Sequence, residues 1–568
     1  MHQQPSSSND LQKILDYNAN SIFKYYLWRP WKLLGRSLVI LWFLGGFVFH
    51  LIIDKLTGQS QNNTLKRAIE LKMTITRLGP TFIKVGQALS TRPDLVEKSY
   101  LDELVKLQDQ LPPFSNQIAR EIIESELGKS LEDVYKEISL DPVAAASLGQ
   151  VYKGKLHSGQ EVAIKVQRPK LKNIISLDLC WMRLVADWFG KLLPLNLGHN
   201  LTLIVDEFGE KLFEEINYLN EADNGEKFAL NFADDPDVKV PKIYREYSGR
   251  YVLTLEWING IKLTNINDIK KAGIDPQNMI KIGVISGLRQ LLEHGFFHAD
   301  PHPGNLFATF DGRMAYIDFG MMDQLEERTK ETLVSSVVQL INQDYPALAD
   351  DFVRLGFLSN DTDIRPIIPA LEKVFGKAIG QKVKDFNFKT ITDDFSGLVY
   401  EYPFRIPAKF ALIIRSLVTQ EGLALTLDPN FKIVEVSYPY IAKRLLQGES
   451  PELRRRLLEV LFKDGKFQWQ RLENMITIAR SENNFNLLPT AQLGLQYVLS
   501  EEGRALRKQL VLALLEDDKL HTEEVKRLWS LIKDDLQPDR IWSVAWSALR
   551  DFSSQGVAAI IPTASSLR

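Results

Sequence analysis

The chain has 568 residues, 45% hydrophobic and 25% charged, with 69 basic against 72 acidic side chains and a net charge of −3. These are ordinary globular proportions, so a mainly disordered chain and a polytopic membrane protein are excluded, and at about 150 residues per domain three or four domain-sized units are expected. The balanced charge leaves no general polyanion-binding surface, so nucleic acid is not expected as a partner. The single cysteine, Cys180, excludes a disulfide framework, a cysteine-rich zinc site and a CxxC redox pair.

Taken from the N-terminus, Met1 to Asp10 is polar, and the first apolar run starts only at Leu38, too late for an ordinary secretory signal. That run, LVILWFLGGFVFHLII from Leu38 to Ile53, carries no formal charge. A bilayer-spanning helix needs about 20 apolar residues, so the run is short. Lys32, Arg36 and Lys55 flank it, and Trp28, Trp31 and Trp42 suit a lipid interface. Two readings stand open: membrane contact, more naturally by insertion into one face than by a true span, and a buried or dimer-forming helix. The far-end segment Gly556–Pro562 is too short to span.

From Asn63 to about Tyr135 the pattern is amphipathic and helical, broken at Gly79-Pro80 and at Leu111-Pro112-Pro113. Strand texture follows: GQVYKGKL (Gly149–Leu156), a His157-Ser158-Gly159 turn and EVAIKVQ (Glu161–Gln167) read as a hairpin. One long acidic helix is expected from Leu203 to about Ala229, then a strand at Arg250–Ile258, a helix at Pro276–His294, and two short strands, NLFAT and MAYIDFG, around Asp311-Gly312. Leu325 to Asp551 is helical in texture, and Phe410–Leu417 reads as core. Arg454-Arg455-Arg456 reads as a solvated helix face, with anionic lipid as the second reading. The chain divides into a polar and interfacial N-terminus (1–37), a hydrophobic helix (38–55), a helical extension (60–135), a small β-rich lobe (136–256), a lobe carrying a polar loop (257–345) and a helical C-terminal region (346–568).

Three motifs carry chemistry. Lys165 lies in the apolar strand Val162-Ala163-Ile164-Lys165, where a lysine is expensive unless it meets an anion. His298-Ala299-Asp300-Pro301-His302-Pro303-Gly304-Asn305 places Asp300 and Asn305 five apart, and Asp318-Phe319-Gly320 closes a short strand. Strand lysine, loop aspartate, loop asparagine and DFG, in that order, form the arrangement of a kinase. Lys165 meets the α- and β-phosphates, Asn305 and Asp318 offer hard oxygen ligands to Mg²⁺, and Asp300 orients the acceptor oxygen and takes its proton. His298 and His302 share the spacing of a helical zinc pair, but Pro301 and Pro303 forbid a regular helix there.

Other features depart from a protein kinase. Where a GxGxxG loop would stand, the chain has Ala144-Ala145-Ala146-Ser147-Leu148-Gly149-Gln150, whose methyl groups hinder close approach to phosphates. Ala299 stands in the arginine position of the catalytic loop, and no APE follows DFG. Upstream, Lys84-Val85-Gly86-Gln87 lies in a helix with a small-residue face, suited to tight packing.

With Glu215–Asn224 (EINYLNEADN), these motifs resemble the UbiB/AarF family of atypical kinases, in the branch of cyanobacteria and plastids. The resemblance implies an α+β, bilobal protein-kinase-like fold with an N-terminal helical extension and a large helical C-terminal region. It implies ATP or ADP binding with Mg²⁺, ATPase or unorthodox kinase activity, and support of isoprenoid-quinone or prenyl-lipid metabolism at a membrane. Lys165, Asp300, Asn305 and Asp318 match the family positions. Ala144, Ala145, Ala146, Ser147, Leu148, Gly149, Gln150, Val151 and Glu256 are assigned with Lys165 to the nucleotide, while Lys84 and Gln87 line the pocket as a built-in gate. The family often has E-x-D where this chain has Glu215-Ile216-Asn217. One of Glu215 and Glu221 is expected to pair with Lys165 and the other to face the KxGQ element, in an order left open. Membrane lipid and quinone-pathway enzymes are the expected partners, a homodimer is left open, and the expected location is the cytoplasmic side of a thylakoid or plasma membrane. Competing readings are a protein kinase acting on metabolic enzymes and a nucleotide-dependent lipid-binding scaffold.

Overall fold

The computed structural model describes residues 17–90, 96–107, 112–189, 201–299, 301–341, 343–380, 402, 404–429, 431, 433–447, 457, 461–463, 466–479 and 526–527. They fall into two compact units, one drawn from Met1–Ile282, His298–Asp323 and Ala408–Leu427, the other from Gly283–Phe297, Gln324–Pro407 and Asp428–Arg568.

The first unit begins with helices α1 (Ala19–Leu27), α2 (Pro30–Leu56), α3 (Ser60–Leu78), α4 (Pro80–Leu89) and α5 (Lys98–Leu104). Pro30 and Pro80 open their helices, where the missing N–H would have had no intrahelical partner. Gly79, at φ +100°, makes the sharp turn between α3 and α4 that a side chain would resist. Ile40 of α2, Ile75 and Leu78 of α3, Phe82 and Ile83 of α4 and Leu104 of α5 bury one common core.

Helix α2 is two-sided. Trp31, Leu34, Leu38, Leu41, Trp42, Phe49, Ile52 and Leu56 are exposed, and their spacing of three and four places them along one stripe. The opposite side docks through charge. Arg36 grips Asp178 with two bonds, 2.6 and 3.0 Å, and donates to Leu78 O at 2.7 Å. Further along, Asp54 accepts from Arg67 at 2.6 Å and from Asn63 at 2.7 Å.

After α6 (Asn116–Leu127) and the single turn α7 (Leu131–Val134) come β1 (Tyr135–Ile138), β2 (Ala144–Ala145), β3 (Gly149–Leu156) and β4 (Glu161–Gln167). Helices α8 (Leu171–Phe189), α9 (Leu201–Glu215) and α10 (Tyr218–Asn231) precede β5 (Val238–Lys239) and β6 (Val252–Glu256). The antiparallel sheet runs β1-β3-β4-β6, with β2 beside β3. The period of two along β4 sends Val162, Ile164 and Val166 into the core against α6, and Ala163 and Lys165 to the other face. The two hairpin strands have the bounds read from the sequence. The single helix expected from Leu203 to Ala229 is instead two. Asn217 adopts an extended backbone and its side chain accepts the Leu219 N–H at 3.3 Å, so the asparagine starts α10 as an N-cap rather than continuing α9.

The chain continues through β7 (Gly260–Lys262), α11 (Ile266–Lys271), α12 (Pro276–Arg289), a π-helical turn at Gln290–His294, β8 (Phe296–His298), β9 (Leu306–Thr309), β10 (Met314–Tyr316) and β11 (Met322–Gln324). A second sheet of the first unit has the order β5-β10-β9-β7, with β5 parallel to β10. Gly312, at φ +84°, turns the chain between β9 and β10.

The second unit holds α13 (Glu327–Ile341), α14 (Tyr345–Arg354) and α15 (Ile367–Gly380). Helix α16 (Ala408–Leu427) belongs to the first unit and buries Phe410, Ile413 and Leu427 together with Ser416 and Glu421. By length and composition α2 and α16 are both apolar enough to cross a membrane, but the buried polar groups of α16 mark it as a core helix. Helix α17 (Ile433–Gln447) and α18 (Trp469–Ala479) flank a short hairpin, β12 (Phe462–Lys463) and β13 (Lys466–Phe467), where only helical texture was expected. Arg454–Arg456 and Gly556–Pro562 lie outside the described residues.

Candidate nucleotide site

Lys165 stands opposite Val151 of β3 and Leu253 of β6, on the sheet face that α10 covers. Its ammonium pairs with Glu221 Oε1 and lies 3.3 Å from Asp318 Oδ1. Asn305 Nδ2 donates to Asp318 Oδ2 at 2.9 Å, and the Gly320 N–H donates to Oδ1 at 3.2 Å. One lysine, two carboxylates and one amide from four separate elements thus form one cluster. The partner left open by the sequence is Glu221, in the first turn of α10, while Glu215, at the end of α9, takes Lys84.

Burial drives the electrostatics. It pushes the Glu221 carboxyl up to about 7, with Lys165 opposing and Asp318 adding to the shift. Burial acts on Asp318 in the same sense, but Lys165, His298 and the Gly320 N–H outweigh it and hold this carboxyl well below the usual range. Burial lowers Lys165, and Asp318 and Glu221 more than restore it, so the ammonium stays charged. Two carboxylates around one cation share the site unequally, and Asp318, the more exposed, keeps its charge.

The DFG segment is locked against α10. Phe319 is buried, its ring 5.3 Å from that of Phe228, and Gly225 leaves it room. Asn224 Nδ2 donates to Phe319 O at 3.0 Å, and the Phe319 N–H donates to Glu221 at 3.3 Å. Asn224 and Phe228 are contributors that motif spacing did not single out, and buried His298, read in the sequence only as half of a helical zinc pair, instead helps hold Asp318 ionised. Asn224 stood inside EINYLNEADN without a role.

Lys84 and Gln87, on α4, are both buried. Lys84 pairs with Glu215, whose Cγ lies 3.9 Å from where a Cβ on Gly320 would stand. The glutamate that holds the KxGQ lysine therefore stands beside the DFG glycine. Gln87 Nε2 donates to Leu107 O at 2.9 Å, and Gly86 lets α4 close on the Leu107 side chain. Asn217, the residue that departs from E-x-D, caps a helix.

The alanine-rich segment is a tight reversal between β2 and β3, in which the Ala146 N–H donates to Gly149 O at 2.8 Å. Ala144 is exposed, Ala145 and Ala146 are half-buried, and Ser147, Leu148, Gly149 and Gln150 are buried. Gly149 permits the approach of Tyr218 and the Val166 carbonyl. Val151 is half-buried opposite Lys165. The Glu256 carboxylate is engaged by Lys239 Nζ at 2.8 Å and the Lys242 N–H at 3.0 Å. His302 Nδ1 accepts the Gly304 N–H at 3.1 Å, shaping the turn that carries Asn305. Asp300 lies outside the described residues. Among the described residues no group of three or more His, Cys, Asp or Glu is placed to hold a metal. Asn305 and Asp318 together still offer the hard oxygens Mg²⁺ takes when phosphates supply its other ligands.

A strand lysine paired with a helix glutamate, with an asparagine and the DFG aspartate beside them, defines a kinase-like domain. Family models agree in sequence: the ABC1 atypical kinase-like domain matches residues 106–352, and the UbiB helical domain matches residues 371–432. The chain is 67% identical over 554 residues to an uncharacterized Synechocystis sp. protein, slr1919, covering 98% of each. It is 48% identical over 522 residues to the Arabidopsis thaliana protein ACTIVITY OF BC1 COMPLEX KINASE 1, chloroplastic, covering 89% of this chain and 76% of that one. The chain belongs to the ABC1/UbiB family of atypical kinases, in the branch that includes cyanobacterial and chloroplastic members.

Proposed function

We propose that this protein binds ATP with Mg²⁺ and transfers or hydrolyses its terminal phosphate at a membrane surface, in support of quinone or prenyl-lipid metabolism. The Lys165–Glu221–Asp318–Asn305 cluster carries the reading. Phosphoryl transfer needs placed charge more than covalent chemistry, and the cluster presents a fixed ammonium and an ionised carboxylate within 3.3 Å of each other. Lys165 takes the α/β-phosphates, Asn305 and Asp318 hold the metal, and Asp300 serves as base. Mg²⁺, when bound, supplies charge neutralisation at the phosphates. The family resemblance implies that the KxGQ helix obstructs a peptide acceptor, and the pairing of Lys84 with Glu215 is compatible with that role, which favours a small acceptor or water over a protein substrate.

The membrane part of the proposal rests on α2. Its exposed stripe, with Trp28 preceding it, is apolar and aromatic, while Arg36 and Asp54 are committed to ion pairs on the other side. A helix bound to its own protein along one side is suited to lie in the interface rather than to cross the bilayer. The quinone link is what the resemblance to the UbiB/AarF family implies.

The test is Mg²⁺-dependent ATP hydrolysis by the full chain, with and without anionic liposomes. Hydrolysis is expected to rise with liposomes and to fall about 100-fold or more in Asp318→Asn. Nucleotide binding without turnover under any lipid condition moves the role to a nucleotide-dependent scaffold. Phosphorylated protein substrates would move it to a protein kinase.

A further inference from the structure

Arg168 joins three pieces of chain that the function above leaves unexplained. Its Nε donates to Ala146 O at 2.9 Å and its backbone N–H to Leu148 O at 2.8 Å, so both ends of the alanine-rich reversal are held by one residue. Another guanidinium nitrogen donates to Pro112 O at 2.8 Å, and the guanidinium lies 5.8 Å from the Phe114 ring centre. Gln150 strengthens the same junction, accepting the Phe114 N–H at 3.0 Å and donating to Phe114 O at 3.3 Å. From another side, Leu148 packs into the cluster of Ile22, Tyr25 and Tyr26 on α1 and Leu171 and Ile175 on α8. The reversal that takes the place of a mobile glycine-rich loop is therefore tied to the Pro112–Phe114 segment and to α1.

We propose that Arg168 is a positioning residue that clasps the alanine-rich reversal in a preset conformation and thereby sets how tightly nucleotide is held. A planar guanidinium can serve two carbonyls on two segments at once, which an ammonium on a flexible stem does poorly. A reversal fixed in advance loses little freedom when nucleotide binds beside it, and an unclasped one must be ordered at that moment. The inference rests on the nucleotide reading above for its consequence, but not for the clasp itself.

The experiment uses the full chain with Arg168→Ala, Arg168→Lys and Phe114→Ala. Amide hydrogen exchange is followed over residues 144–150, and Mg-ATP binding is followed with a methylanthraniloyl-ATP probe beside steady-state hydrolysis. Arg168→Ala is expected to speed exchange of the reversal about tenfold and to raise the probe's dissociation constant and the ATP KM about tenfold, with kcat within twofold. Arg168→Lys and Phe114→Ala should show about threefold effects on both, and they carry the test where the alanine variant does not fold. Unchanged exchange in the folded variants, or an equal loss in kcat with no change in KM, overturns the proposal. Wild-type protein that fails to bind the probe overturns the nucleotide reading instead, and the exchange measurement still decides the clasp.

Discussion

At the scale of single residues, the decisive feature is the unequal sharing of charge around Lys165. Glu221 is pushed up from an ordinary 4.5 to about 7 by burial, so the folded protein binds this proton more tightly than the unfolded chain does. Stability from this group is therefore fully present below about 4.5 and is lost as pH rises through about 7. In metal-free protein, the melting temperature of Glu221→Gln relative to wild type is expected to rise across that window. A parallel pair of melting curves against pH would show that Glu221 is ionised throughout. Gly149 makes a second, steric prediction. A Cβ there would stand 2.6 Å from the Val166 carbonyl oxygen, a backbone atom that cannot swing aside. Gly149→Ala should cost about 1–3 kcal/mol in chemical denaturation, the usual range for overpacking.

At the scale of elements, α2 has two faces with opposite tasks. The inner face depends on Arg36, whose partner Asp178 is fully buried in α8. Removing one member of a buried ion pair strands the other, so Arg36→Ala should cost roughly 3–5 kcal/mol, read as a lowered denaturant midpoint. The outer face makes no such contribution. Trp42, 79% exposed, and Leu38, 63% exposed, can take charges without touching the core. The double variant Leu38→Glu, Trp42→Glu should keep its melting temperature and lose liposome flotation. Flotation that persists in a folded double variant would remove α2 from membrane binding. Cys180, buried in α8 with its thiol pushed up to about 11 by burial, is packing and not a reactive group.

At the scale of the whole molecule, the two units are interleaved along the chain. The first unit recovers α16 from a stretch more than 80 residues beyond Asp323, and that helix buries Phe410, Ile413 and Leu427. A chain ended at Pro407 keeps every kinase motif but leaves the α16 site uncovered. It is expected to aggregate on expression or to melt well below the full chain, measured by soluble yield and calorimetry. A soluble 1–407 chain of unchanged melting temperature would show that α16 is dispensable.

The sequence by itself determined the family and the strand hairpin and named Lys165, Glu221 and Asp318 among the site's charged groups, because the kinase-like motifs follow one another in a fixed order and alternation of apolar side chains sets β3 and β4 directly. It also led to the expectation that one of Glu215 and Glu221 pairs with Lys165 and the other faces the KxGQ element. Which glutamate serves which was decided only by tertiary structure. Asn217 breaks the expected single helix, and the resulting change of direction delivers Glu221 to Lys165 and Glu215 to Lys84. The roles of Arg36 and Arg168 were equally hidden, since each bonds groups far away along the chain, and backbone carbonyls such as Ala146 O and Pro112 O leave no mark in a sequence. Local preference and motif order are properties of neighbouring residues, whereas the charge state of Glu221 and the hold on the alanine-rich reversal arise only when distant segments exclude water from the same place.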